Sequence, residues 1–147
     1  YLYLSMSAYF ESQSLKGFAN WMRIQAMEEQ FHAMKFYDYL NERGATVELH
    51  GIAKPDNTWD SMLVVFEETL KHEEHITSKI SELVSISMEE KDYASQNFLQ
   101  WYIDEQVEEE ATASEILDQI KFLGDNKHGL LMLDREFSAR VYTPQVV

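Results

Sequence analysis

The chain contains no cysteine at any of its 147 positions. That excludes disulfides, cysteine-ligated zinc and thiol catalysis, and leaves any metal chemistry to histidine, carboxylate and amide ligands. Basic residues are scarce: 12 Lys and Arg stand against 26 Asp and Glu, a formal net charge of −14. A basic surface able to neutralise nucleic-acid phosphates is therefore not in excess, whereas an acidic balance suits cation capture. No apolar run approaches the ~20 residues of a membrane span. The opening "YLYLSMSAYF" has neither an initiator Met nor the pattern of a signal peptide, so an upstream segment is expected. Proline occurs twice and glycine five times. Gly17 sits early, Gly44 to Pro55 encloses one linker, and Gly124 and Gly129 mark the C-terminal end. So little punctuation favours long helices over many short strands. No repeat or low-complexity segment breaks the chain, and its length suits a single domain over residues 1–147.

What is present reads as five helices. The first runs from the start to about Gln13, and the second from about Leu15 to Glu42, with Gly44 as the C′ residue that stops it. Residues 44–57 form the linker, Thr58 is the candidate N-cap of a third helix reaching Ser87, and a fourth runs from about Asp92 to Phe122. A shorter fifth helix follows Asn126. About 14 extended linker residues reach roughly 46 Å, enough to run the ~42 Å length of a helix of about 28 residues. A single crossover along the bundle would make helices 2 and 3 parallel.

Steps of four and three residues trace the seam that each helix turns toward its neighbours. In helix 2 the seam is Phe18, Met22, Gln25, Glu29, His32, Phe36, Tyr39. In helix 3 it is Met62, Phe66, Thr69, Glu73, Ile76, Ile80, Leu83, and in helix 4 it is Ser95, Leu99, Tyr102, Gln106, Glu109, Ala113, Ile116, Ile120. Each seam is apolar toward its ends and polar near its middle. Helices of similar length packed side by side bring their midpoints to one height, so Glu29, His32, Glu73, Gln106 and Glu109 are expected to converge. Several carboxylates buried together raise one another's pKa and cost several kcal/mol unless something offsets their charge. Imidazole with carboxylates suits a transition metal such as iron or manganese, and the i, i+3 spacing of Glu29 and His32 puts both on one helix face.

Taken singly these signals are weak. A lone Glu-x-x-His is common by chance, and a run such as "EQVEEE" (Glu105 to Glu110) is usually a solvated face. Phe18, Met22, Phe66 and Tyr102 read as core, His72 and His75 as surface beside Glu73, and His50 and His128 as loop residues. The coincidence on three helices is what raises the metal reading.

The stretches "MSAYFE", "EEQFHAMKFYDYLNERG", "ETLKHEEHITSKISELV" and "NFLQWYIDEQVEEE" resemble prokaryotic non-haem ferritins over essentially the whole chain. That resemblance implies an all-α, ferritin-like four-helix bundle with one long crossover and a short C-terminal fifth helix. The related di-iron pattern takes a Glu from each of two helices and Glu-x-x-His from each of the other two. Gln106-x-x-Glu109 departs from it in a way that resembles ferritins more than bacterioferritins.

Carried over by position, Glu29 and His32 resemble ligands of a first iron, with Glu29 bridging to a second. Glu73 and Glu109 resemble ligands of the second iron, with Gln106 beside them. Glu28, Glu105 and Glu108 match a third, acidic iron site that shares Glu109. Tyr3 and Trp101 match aromatic positions that donate electrons during oxygen reduction. The resemblance thus implies a cytoplasmic iron-storage ferroxidase that oxidises Fe(II) with O2 or H2O2 at a di-iron carboxylate centre. It also implies a hollow homo-oligomeric shell of 24 subunits that holds Fe(III) as mineral.

The rivals are a bacterioferritin, another di-iron oxidase and a metal-free acidic helical binding scaffold. Gln30 follows Glu29 where a haem-binding Met stands in bacterioferritins, so no haem is expected. The lack of cysteine disfavours rubrerythrins, and the lack of a basic tail disfavours DNA-protecting mini-ferritins. Carried back from Phe10 through Met6 and Tyr3, the helix 1 seam next falls about seven residues before Tyr3, outside this chain. The resemblance implies a glutamate there, a ligand of the first iron, hence an incomplete first helix and a further N-terminal segment of about 20 residues.

Overall fold

The structure is a computed structural model, and it describes residues 1–144. Among these are five helices: α1 (Leu2–Ser12), α2 (Lys16–Glu42), α3 (Met62–Glu89), α4 (Tyr93–Leu123) and α5 (Lys127–Ser138). No strand occurs among the described residues, and no helix is long and apolar enough to cross a membrane. The helices divide into two compact units. One comprises residues 1–58 with the C-terminal segment from Asn126, and the other runs from Trp59 to Asp125.

In the first unit α1 and α5 both pack on α2. Tyr3, Met6 and Phe10 of α1, Phe18, Trp21 and Met22 of α2, and Leu133 and Phe137 of α5 are all buried. The Phe18 ring lies between two partners, Phe10 at 5.3 Å and Phe137 edge-on at 5.0 Å. α2 begins without a side-chain cap of its own, because Leu15 stands at the N-cap. Asp134 of α5 supplies the missing acceptor: Gly17 N–H and Phe18 N–H donate to its Oδ1 at 2.8 and 3.1 Å. A carboxylate there also meets the positive end of the helix dipole. Losing such a cap costs about 0.5–2 kcal/mol. Asp134→Ala is accordingly expected to lower the melting temperature by a few degrees, read by circular dichroism, with Asp134→Asn closer to the parent.

α2 ends in a Schellman turn. Gly44 takes φ +75°, its N–H donates to Asn41 O, and Ala45 N–H donates to Leu40 O. The α1–α2 and α3–α4 turns repeat that hydrogen-bonding pattern with Ser14 (φ 61°) and Lys91 (φ 56°) in the left-handed position.

The second unit is the α3–α4 pair. The expected start of α3 at Thr58 is corrected: Ser61 is the N-cap, extended at φ −159°, with its side chain accepting from Val64 N–H. Trp59 stays outside the helix and donates its indole N–H to Glu68 at 2.6 Å. The linker therefore extends to residue 61 rather than 57. Asp92 caps α4, accepting from Ser95 N–H and Oγ–H. Asn126 caps α5, accepting from His128 and Gly129.

The buried face of α4 is the expected seam: Leu99, Tyr102, Gln106, Glu109, Ala113, Ile116 and Ile120 are all buried. The α3 seam is buried at Phe66, Thr69, Glu73 and Ile80 but fails at its end, where Leu83 is 41 % exposed and Ser87 is buried instead. A real helix turns once per 3.6 residues, so a seam traced in sevens drifts by about 20° per heptad and leaves the buried face.

Candidate metal-ligating sites

Polar side chains stand on buried faces at mid-helix in both units. In the first, α2 carries Glu29 and His32 one turn apart, with His32 Nδ1 3.4 Å from Glu29 Oε2. His32 is buried and Glu29 is partly exposed. The apolar residues before them on that face, Phe18 and Met22, are fully buried and fix the rotation of the helix. The neighbouring Glu28 takes another partner. Its Oε2 accepts from Arg140 Nη2 at 2.7 Å.

In the second unit Glu73 is 1 % exposed and Gln106 faces it from α4. Gln106 Nε2 lies 3.3 Å from Glu73 Oε2, 3.2 Å from the Glu73 carbonyl oxygen and 3.3 Å from Thr77 Oγ1. An amide that donates to a carboxylate orients it without neutralising it. Glu109 is buried one turn beyond Gln106, and a carboxylate oxygen of Glu105 lies within 4.8 Å of one of Glu109. Glu108 is exposed. A cavity of about 130 Å³ between α3 and α4 is lined by Thr77, Ile80, Ser81, Ile103, Gln106, Val107 and Glu110, so small solutes can approach the Gln106 amide.

The aromatic candidates are separate in kind. Tyr3 is buried on α1 at 2 % exposure. Trp101 is half-buried on α4, edge-on to Tyr102 at 4.8 Å. Of the histidines read as non-ligands, His75, His50 and His128 are exposed and His72 is partly so.

Thus Glu29 meets His32 within α2, and Gln106 meets Glu73 across α3 and α4. Two residues escaped the sequence reading. Thr77 sits four residues after Glu73, a spacing that could have found it. Arg140 follows α5, 112 positions from Glu28, where no periodic signal exists.

The ferritin-like domain family matches residues 1–123. A probable bacterial non-haem ferritin-like protein of Haemophilus influenzae is 45 % identical over 135 residues, 92 % of this chain and 82 % of that one. A bacterial non-haem ferritin of Staphylococcus aureus is 37 % identical over 140 residues, 95 % of this chain and 84 % of that one. A solved structure described as a humanized archaeal ferritin superposes with a TM-score of 0.97 at 53 % identity, over 98 % of this chain and 87 % of that one.

Proposed function

The chain belongs to the ferritin-like domain family, with that family's all-α four-helix-bundle fold and iron-storage function, and from that premise we propose that it is a ferroxidase. The substrate is Fe(II), the oxidant O2 or H2O2, and the product Fe(III) held as mineral. In this reading Glu29 and His32 ligate one iron, Glu73 and Glu109 the second, and Glu29 bridges the two. Gln106 orients Glu73 through the hydrogen bond already described.

The burial of ionisable groups on otherwise apolar faces carries the proposal. Glu73 is 1 % exposed, His32 6 % and Glu109 8 %. Desolvating a carboxylate is costly, and bound cations offset that cost. Hard anionic oxygen ligands also favour Fe(III) over Fe(II), which draws the reaction toward oxidation. Tyr3 and Trp101 are the proposed electron donors, each being a redox-capable ring at least partly shielded from water.

We assign Glu28, Glu105 and Glu108, with Glu109 shared, to a third iron site on the way to the mineral. Residues 1–147 act as one ferritin-like domain, assembled in the cytoplasm into a closed shell of 24 copies. Acidic side chains on its inner wall concentrate iron there. Gln30, in place of a methionine, leaves the protein without haem.

Fe(II) added in air to the purified protein should give a near-ultraviolet ferric absorbance well above the protein-free control. The protein should elute as a large assembly by light scattering at micromolar concentration, with no Soret band. Oxidation no faster than the control would overturn the ferroxidase reading, and a monomer or dimer would overturn the shell.

A further inference from the structure

The cavity of about 130 Å³ in the second unit lies between α3 and α4. Helical spacing builds it. Thr77, Ile80 and Ser81 share one face of α3, and Ile103, Gln106, Val107 and Glu110 share one face of α4. Burial gives it depth. Ser81 and Val107 are exposed and mark the mouth, Thr77, Ile103 and Glu110 are half-buried, and Ile80 and Gln106 are buried at the floor. From that floor the Gln106 amide donates to Glu73 Oε2 at 3.3 Å. A molecule resting there is one side chain away from a carboxylate proposed to ligate iron.

Size and walls define what fits. An aliphatic cavity of roughly 150 Å³ binds xenon or benzene, and this one is nearly as large. Ile80, Ile103 and Val107 supply branched aliphatic surface from both helices. Among the lining residues Glu110 alone is a carboxylate, whereas a hard cation needs several oxygen ligands. Hydrogen peroxide gives up hydrogen bonds to water against such walls, while dioxygen has none of comparable strength to lose. We infer that this pocket binds dioxygen and is the place from which the oxidant reaches Glu73. The inference rests on the ferroxidase reading above, and adds which oxidant the protein takes up and where. Were the pocket only a gap between two packed helices, closing it would leave the oxygen dependence of the rate unchanged.

Xenon is an apolar, redox-silent stand-in for dioxygen. Crystals of the assembled, iron-free protein pressurised with xenon should show it between Ile80 and Val107 by anomalous scattering. V107W and S81F each place an aromatic ring at an exposed position of the mouth, and both should lose the xenon. In steady-state Fe(II) oxidation with O2 varied, both should raise the KM for O2 about fivefold with kcat unchanged, the pattern of lost binding rather than damaged chemistry. With H2O2 as the oxidant under anaerobic conditions, both should oxidise Fe(II) at the parental rate. V107A leaves the mouth open and should keep both the xenon and the parental KM for O2.

A parent pocket without xenon overturns the inference, as does an unchanged KM for O2 in a variant that has lost it. Equal slowing with O2 and with H2O2 also overturns it, because that marks a disturbed centre. If V107W does not assemble, S81F decides by the same readouts. If the parent oxidises iron no faster than a protein-free control with either oxidant, the ferroxidase reading falls and takes this inference with it. That outcome is distinct from rapid oxidation that ignores the pocket.

Discussion

Replacing Glu29 with alanine should slow Fe(II) oxidation by more than roughly tenfold while leaving the helical circular dichroism unchanged. The size follows from the bridging role proposed for Glu29. Changes to groups that merely support metal ligands commonly cost 10–100-fold, so loss of a ligand shared by two irons costs at least as much. Folding should survive because alanine is the best helix former and Glu29 lies in the interior of α2. Its carboxylate is partly exposed beside His32, 3.4 Å away, so truncation empties no fully buried volume. Stopped-flow absorbance after mixing with aerobic Fe(II) gives the rate. Glu29→Gln, similar in shape but uncharged, should fall between parent and alanine. An alanine variant that oxidises iron at the parental rate would remove Glu29 from the centre. Gln106→Ala is a useful comparison, because it frees Glu73 from its orienting amide without removing a proposed ligand, and a smaller rate loss is expected.

The parts of this molecule legible in its sequence are those governed by local physics. Seam periodicity located the buried face of α4, including Gln106 and Glu109 at positions a purely apolar seam would not allow, and that of α2 at Phe18, Met22, Gln25 and His32, while Glu29, Phe36 and Tyr39 are only partly covered. Gly44 announced the end of α2 because few residues tolerate φ +75° as well as glycine. The Ser14 and Lys91 turns need the same left-handed backbone without a glycine to mark it. Thr58 and Ser61 are both good N-caps in the same short stretch. The choice falls on Ser61, and Trp59 stays outside α3 with its indole bound to Glu68. Least legible were the contacts that join distant segments. Asp134 with Gly17 and Arg140 with Glu28 lie 117 and 112 positions apart. No periodic pattern reports such pairs, since what makes them is the docking of α5 along α2.

That docking has a steric keystone, and Gly17→Ala should cost more stability than removing the Asp134 cap itself. A Cβ at position 17 would stand 1.6 Å from the Asp134 carbonyl oxygen and 2.5 Å from its carbonyl carbon. These are backbone atoms of α5, so no side-chain rotation relieves the clash, and the helix must withdraw. Withdrawal lengthens both hydrogen bonds from Gly17 and Phe18 to Asp134 Oδ1, opens the Phe137 contact with Phe18 and pulls Arg140 from Trp21. Overpacking alone costs about 1–3 kcal/mol, and the lost cap adds about 0.5–2 kcal/mol. Both outweigh the small gain that alanine brings over glycine within a helix. Melting temperature by circular dichroism and hydrogen exchange of α5 amides would read the two consequences, with α5 protection falling before that of α2. Combined with Asp134→Ala, the change should be less than additive, because either one alone already breaks the same cap. Gly44→Ala is the control. Nothing lies within 4 Å of a Cβ there, so its cost should be the modest one of a left-handed backbone. If Gly17→Ala were as mild as that control, the close seating of α5 on the start of α2 would be refuted.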